Sequence, residues 1–142
     1  MSDRETNRKA TAQKLRDAGL RPTRQRLALA TLLFRGGHRH VTAEVLHQEA
    51  LNVGANVSLA TVYNTLNQFT QAGLLRQGAV DVAHSYFDTN IGEHQHFYVE
   101  QERLLIDIPG KDITVAGVPD APPGTTVERV DVVVRLKRGG CG

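Results

Sequence analysis

Hydrophobic residues recur along residues 58–75 with the period of an α-helix: Leu59, Val62, Tyr63, Leu66 and Phe69 fall at i, i+3, i+4, i+7 and i+10 and line one side. Ser58 is placed to cap the start of this helix and Gly73 to end it. The opposite side presents Thr61, Asn64, Thr65 and Gln68 and carries no charge. An ordinary solvated helix side would hold Lys and Glu. A row of short neutral donors and acceptors is what reads base edges in a major groove.

Upstream, the pattern predicts a basic, weakly amphipathic helix over Thr6–Ala18, stopped by Gly19. Leu-Arg-Pro follows as an extended connector, because the residue before Pro disfavours the helical region. Thr23 caps a second predicted helix, TRQRLALATLLF, ending at Gly36-Gly37, with Leu27, Ala30, Leu33 and Phe34 facing inward. A third runs from Thr42 to about Val53 or Gly54, with Val45, Leu46 and Ala50 on its inner side. After the fourth helix, Leu75-Arg76-Gln77-Gly78 and His84-Ser85-Tyr86-Phe87 read as two short strands joined by a turn. Helices followed by such a hairpin give the order of a winged helix-turn-helix.

Beyond Asn90 the pattern turns to strands: HFYVE near 96, LLIDI near 104 and VERVDVVVRL over 127–136, where Val130, Val132, Val134 and Leu136 alternate with Asp131, Val133 and Arg135. The intervening GKDITVAGVPDAPPG is too rich in proline for more than one or two helical turns. Three short strands cannot cover a face alone, so this half is expected to complete its core by dimerising. The expected class is α+β: a winged-helix unit over residues 1–90, with its wing near 74–89, then a small α/β dimerisation and ligand-sensing unit over 91–142 with a short flexible tail.

Composition sharpens this picture. The chain has 142 residues, no Trp and one Cys, Cys141, which excludes an internal disulfide. The polar N-terminus and the lack of a long apolar run point to the cytosol, with no membrane partner. Residues 1–78 hold 11 Lys and Arg against 5 Asp and Glu, whereas residues 79–142 hold 6 against 10. A basic front half suits a phosphate backbone; an acidic back half suits a cation or a partner chain.

His94-Gln95-His96 opens a strand-like run, where residues i and i+2 point the same way, and Asp88 lies six residues earlier. Converging imidazoles with a carboxylate suit a transition metal. Solvent-facing histidines are the plainer alternative, and His38-Arg39-His40 is a second His-x-His. No Gly-rich phosphate loop, nucleophile elbow or HExxH is present, and Cys141 sits among tail glycines, so an enzyme is not expected. A small zinc hydrolase built on the histidines is the least supported alternative.

GLRPTRQR at 19–26, HVTAEVLH at 40–47, SLATVYNTLNQFTQAGLL at 58–75, YFDT at 86–89 and HQHFY at 94–98 together resemble the ferric uptake regulator (Fur) family. Within it, the chain looks most like the iron response regulators, Irr, of alphaproteobacteria, on account of LRPTRQR, VSLATVYNTLNQ, HxHFY and the ending VDVVVRLKR. The resemblance implies a homodimer of winged-helix units on AT-rich operator DNA, acting mainly as a repressor of iron and haem genes. It implies a minor-groove cation at Arg21, phosphate contacts from Lys14, Arg16, Arg24 and Arg26, and a reading helix whose contacts draw on Ser58, Thr61, Tyr63, Asn64 and Thr65. Its sensory ligands fall on His40, Asp88, His94, His96 and Asp107, from both units, so that a bound group would fix the spacing of the two reading helices.

The departures are equally informative. The family's CxxC positions are Val99 and Glu102, which excludes a four-cysteine structural zinc, and a second family metal site keeps only Glu93. The Irr likeness implies haem as effector, with His94 and His96 as its candidate ligands and a haem-donating enzyme as a partner. Mn2+ or Fe2+ would compete for the same imidazoles. A haem- or metal-handling protein without operator binding is the runner-up.

Overall fold

The computed structural model describes residues 3–79, 85–92 and 94–139. His84, Glu93 and Cys141, each singled out above, lie outside the described residues. The chain divides into two compact units, Met1–Ile91 and Gly92–Gly142.

The first unit opens with α1 (Asp3–Asp17), α2 (Arg24–Phe34), β1 (His40–Val41), α3 (Ala43–Asn52) and α4 (Leu59–Gln71), followed by β2 (Arg76–Ala79) and β3 (Ser85–Asp88). Each later helix begins where its cap residue predicts. The Thr23, Thr42 and Ser58 hydroxyls accept from the amides of Arg26, Val45 and Thr61, supplying partners that the first helical turn lacks. α1 and α4 stop just before Gly19 and Gly73, which take φ of +82°, a conformation strained for any residue with a Cβ.

Leu15, Leu29, Leu33, Leu46, Val62, Leu66, Phe69 and Phe87 are fully withdrawn from solvent and form the core. Two expected inner faces are rotated. On α2 the buried residues are Leu29, Ala30, Leu32 and Leu33, while Leu27 and Phe34 lie at the rim. α2 packs against α1, α3 and α4, so its buried stripe is wider than that of a helix with one neighbour. On α3, Val45 is 48% exposed, and Ala43, Leu46 and Ala50 form the inner stripe at i, i+3 and i+7. Val45 stands about 100° round the helix from Leu46.

The sheet of this unit has the order β1-β3-β2 and is antiparallel throughout. β2 and β3 are the expected wing strands, paired from Arg76↔Asp88 to Ala79↔Ser85. β1 was not anticipated; two residues carry no readable period. It sets His40 opposite Asp88. Gly78 runs beneath the Tyr86 ring, where a Cβ would come within 2.6 Å of it.

The second unit is a three-stranded sheet with β4 (His94–Val99) at its centre, β5 (Leu104–Pro109) antiparallel on one side and β6 (Val133–Leu136) parallel on the other. A single 3-10 turn at Gly110–Asp112 is the regular structure described within the Pro-rich segment. β6 is shorter than the alternation over 127–136 predicts: its pairing with β4 runs from His96↔Val133 to Val99↔Leu136, and the Val132 amide just before it donates to the Gln95 side chain instead. Val130 and Leu136, expected on a covered face, are 38% and 37% exposed. Leu104 and Ile106 on β5 are each 43% exposed. Among the described residues, no helix is long and apolar enough to cross a membrane.

Phe69→Ala should cost the first unit about 3–5 kcal/mol, and Ser58→Ala about 1 kcal/mol, in denaturant unfolding. A loss near zero for Phe69→Ala would mean that α4 is not seated in the core.

Candidate functional site

α4 presents Tyr63, Asn64 and Gln68 to solvent, with Thr61 half-buried beside them. Thr65 does not share this exposure: it is 5% exposed and its hydroxyl donates to the Thr61 carbonyl at 2.8 Å, the usual back-bond of a helical threonine. Ser58 is likewise engaged, capping the helix and donating to Thr61 Oγ1 at 2.9 Å. The open row is therefore narrower than the sequence suggests, and it remains uncharged.

Arg26 of α2 reaches across to this row. Its Nε and Nη2 donate to Gln68 Oε1 at 3.2 Å each, and Nη1 donates to the Arg21 carbonyl at 2.9 Å. One guanidinium thus ties the connector after α1 to the uncharged side of α4. Arg26, Thr61, Asn64 and Gln68, with Thr23 and Gln25, line a cleft of about 360 Å3. Gln25 was missed in the sequence because nothing in its spacing sets it apart. Arg21, Arg24 and Arg16 are exposed. Lys14 instead holds its ammonium 4.4 Å above the Phe34 ring, which anchors α1 to α2.

The Tyr63 hydroxyl donates to Glu44 Oε1 of α3 at 2.7 Å. That bond holds the Glu44 carboxyl below its ordinary value and raises the Tyr63 hydroxyl above its own. Since the folded value of Glu44 is lowered, the contribution is present above the ordinary carboxylate range and is lost as pH falls through the depressed value.

The histidines and acids fall into two sets, one in each unit. In the first, His40 Nε2 lies 3.4 Å from Asp88 Oδ2, while the other carboxylate oxygen accepts from the Asn90 amide at 2.8 Å. Tyr86 meets the His40 ring edge-on, centroids 5.8 Å apart. In the second, Asp107 stands opposite His96 across β4 and β5, and its Oδ1 is 3.4 Å from His96 Nε2 and 3.7 Å from His94 Nε2. His94 and His96 are 6% and 7% exposed, so they are not the solvent-facing pair of the plainer alternative.

His94 Nδ1 is 2.7 Å from the Gly92 carbonyl. A carbonyl can only accept, so Nδ1 carries a proton, and in the neutral ring Nε2 is the nitrogen left to ligate, which is how a ligating imidazole is usually oriented. Two ligand atoms held about 2.1 Å from one ion at a tetrahedral angle lie about 3.4 Å apart. The His94, His96 and Asp107 set fits that spacing and supplies borderline nitrogen plus hard oxygen, a donor mix suited to divalent first-row metals.

The architecture is a winged helix-turn-helix joined to a small sheet that carries a metal-competent His-His-Asp set. The family-wide pattern of the ferric uptake regulator family matches residues 17–116, and the chain belongs to that family. It is 38% identical over 88 residues to the ferric uptake regulation protein of Legionella pneumophila, a match covering 62% of this chain and 65% of that one. The chain thus spans just under two thirds of that relative's length. The Pseudomonas aeruginosa ferric uptake regulation protein is 37% identical over 101 residues, covering 70% of this chain and 75% of its own. The solved Pseudomonas aeruginosa regulator with manganese superposes with a TM-score of 0.65 at 27% identity, over 89% of this chain and 96% of its own.

Tyr63→Phe should return the Glu44 carboxyl toward its ordinary value in an NMR titration of side-chain carboxyl groups. An unmoved midpoint would show that the hydroxyl does not reach Glu44 in solution.

Proposed function

We propose that this chain is a homodimeric transcription regulator, mainly a repressor, that binds AT-rich operator DNA under the control of a divalent metal. The observation that carries the reading is the presence, in one family member, of an uncharged face on α4 and a buried imidazole pair with the exposed carboxylate of Asp107 at ligand spacing. Arg16, Arg21 and Arg24 supply phosphate or minor-groove contacts, and Arg26 orients Gln68 beside Asn64 and Thr61. Tyr63, held by Glu44, offers its ring to a thymine methyl.

His94, His96 and Asp107 hold the ion in this proposal, and His40 and Asp88 complete its coordination. The ion supplies the positive charge that lets carboxylates from separate elements converge. Ligands drawn from both units then restrict the angle between them, and with it the spacing of the two reading helices on successive half-sites. The manganese named in the Pseudomonas aeruginosa structure supports Mn2+ as the ion, with Fe2+ as the alternative of like donor preference. The exposed apolar residues of the second unit, Leu104, Ile106 and Leu136, support a second copy as their cover.

A finer reading is control by haem, as in the Irr branch, with His94 and His96 as the residues that would hold it and a haem-donating enzyme as partner. Their burial, and Asp107 within 3.4 Å of His96, favour a bare ion over a macrocycle at that place.

Fluorescence anisotropy on an AT-rich palindromic duplex, with apo protein, with manganese and with haem, tests these readings. The expected result is salt-sensitive binding tightened by manganese, with Arg21→Ala lowering the salt slope by about 1. His94→Ala with His96→Ala should abolish the response without changing the circular dichroism or the dimer mass. Binding lost on adding haem alone would select the Irr reading, and no binding in any state would sink operator recognition.

A further inference from the structure

His40 and Asp88 are tied to the helix-turn-helix by Arg39, which none of the sequence motifs marks as functional. Its guanidinium forks onto Glu49 of α3, Nη1 to Oε1 at 3.0 Å and Nη2 to Oε2 at 2.6 Å. Nη1 also donates to the Leu32 carbonyl near the end of α2 at 3.0 Å. Through its backbone, Arg39 donates to Thr89 Oγ1 at 2.9 Å and accepts from the Thr89 amide at 3.1 Å. Arg39 and Thr89 therefore adjoin the His40↔Asp88 pair, one residue beyond the ends of the two strands. One residue joins the strand ends that carry both ligands to two helices.

The Arg39 and Glu49 side chains are 27% and 30% exposed, sheltered enough for the pair to hold its geometry. A bidentate fork fixes orientation as well as distance, which a single ammonium cannot do. α3 is in turn fastened to the segment before α4: His47 Nε2 donates to the Val57 carbonyl at 3.0 Å, one residue ahead of the Ser58 cap. α3, the turn and α4 are thus bonded in sequence, and a displacement delivered at Glu49 reaches the reading helix.

We propose that Arg39 and Glu49 are positioning residues that couple the His40–Asp88 pair to the helix-turn-helix, so that ligand occupancy changes DNA affinity through this fork. This rests on the functional reading above, in which His40 and Asp88 take part in holding the ion. Without the fork, the ligand pair settles on an ion while α3 keeps its own position, and the two events uncouple.

The test uses the full-length protein, manganese as the probe and an AT-rich duplex, measuring manganese affinity by calorimetry and duplex affinity by anisotropy with and without manganese. For Arg39→Lys and Glu49→Gln, manganese affinity and metal-free duplex affinity should stay within about twofold of the parent, while the manganese-induced gain in duplex affinity falls at least about fivefold. The exchanged pair, Arg39→Glu with Glu49→Arg, should restore part of the gain. A gain unchanged in both single variants overturns the proposal, as does uniform weakening at every manganese concentration with the gain preserved, which is what a purely structural staple would do. If Arg39→Lys does not fold, Glu49→Gln carries the measurement. A parent protein whose duplex affinity ignores manganese overturns the functional reading and this proposal together, whereas a responsive parent with responsive variants overturns this proposal alone.

Discussion

Cross-strand pairing sets His40 opposite Asp88 in one unit and His96 opposite Asp107 in the other, and in both it brings an imidazole nitrogen to 3.4 Å from a carboxylate oxygen. A slip of one residue in either ladder would turn the histidine to the other face of its sheet, because side chains alternate along a strand. The first ladder has two pairs and the second six, and both registers have support beside them. In the first unit it comes from the Thr89 bonds to Arg39 beside the pair. In the second, the parallel strand β6 contributes, with the Val132 amide donating to Gln95 Oε1 at 2.6 Å and the His96 amide donating to the Val132 carbonyl at 3.3 Å. The chemistry of both sets is inherited from these neighbours.

The reading face is held by a different kind of bond. α4 is fixed along its apolar stripe by burial of Val62, Leu66 and Phe69, yet the polar groups above that stripe are oriented one by one. Arg26 grips Gln68, Glu44 grips Tyr63, and Thr65 turns back onto its own helix. Groups held before they meet a partner lose less entropy on binding, since their rotamers are already restricted. The same bond places a carboxylate, Glu44, beside the exposed Tyr63, so the uncharged row of α4 has an anionic neighbour as well as the cationic Arg26.

Elements with several turns of period were legible in the sequence. The three helix caps, the wing strands and the stops at Gly19 and Gly73 all depend on local chemistry that one residue or one turn can announce. What escaped was non-local. β1 consists of two residues and exists because β3 lies beside it. The inner face of α2 depends on three neighbouring helices that decide which residues are covered, and the start of β6 on the Gln95 side chain that takes the Val132 amide. The His94–His96 pair was visible from its spacing, whereas the Gly92 carbonyl that sets the His94 tautomer, and the Arg39–Glu49 fork, join groups that no local pattern connects.

The close approach at Gly78 links the wing strands to the histidine set of the same unit. Tyr86 lies over that glycine and meets His40 with its edge, so a side chain at 78 would press on the ring and, through it, on a candidate ligand. A glycine with no ligand atom of its own is thereby subject to the same steric demand as the imidazole, through one shared aromatic ring.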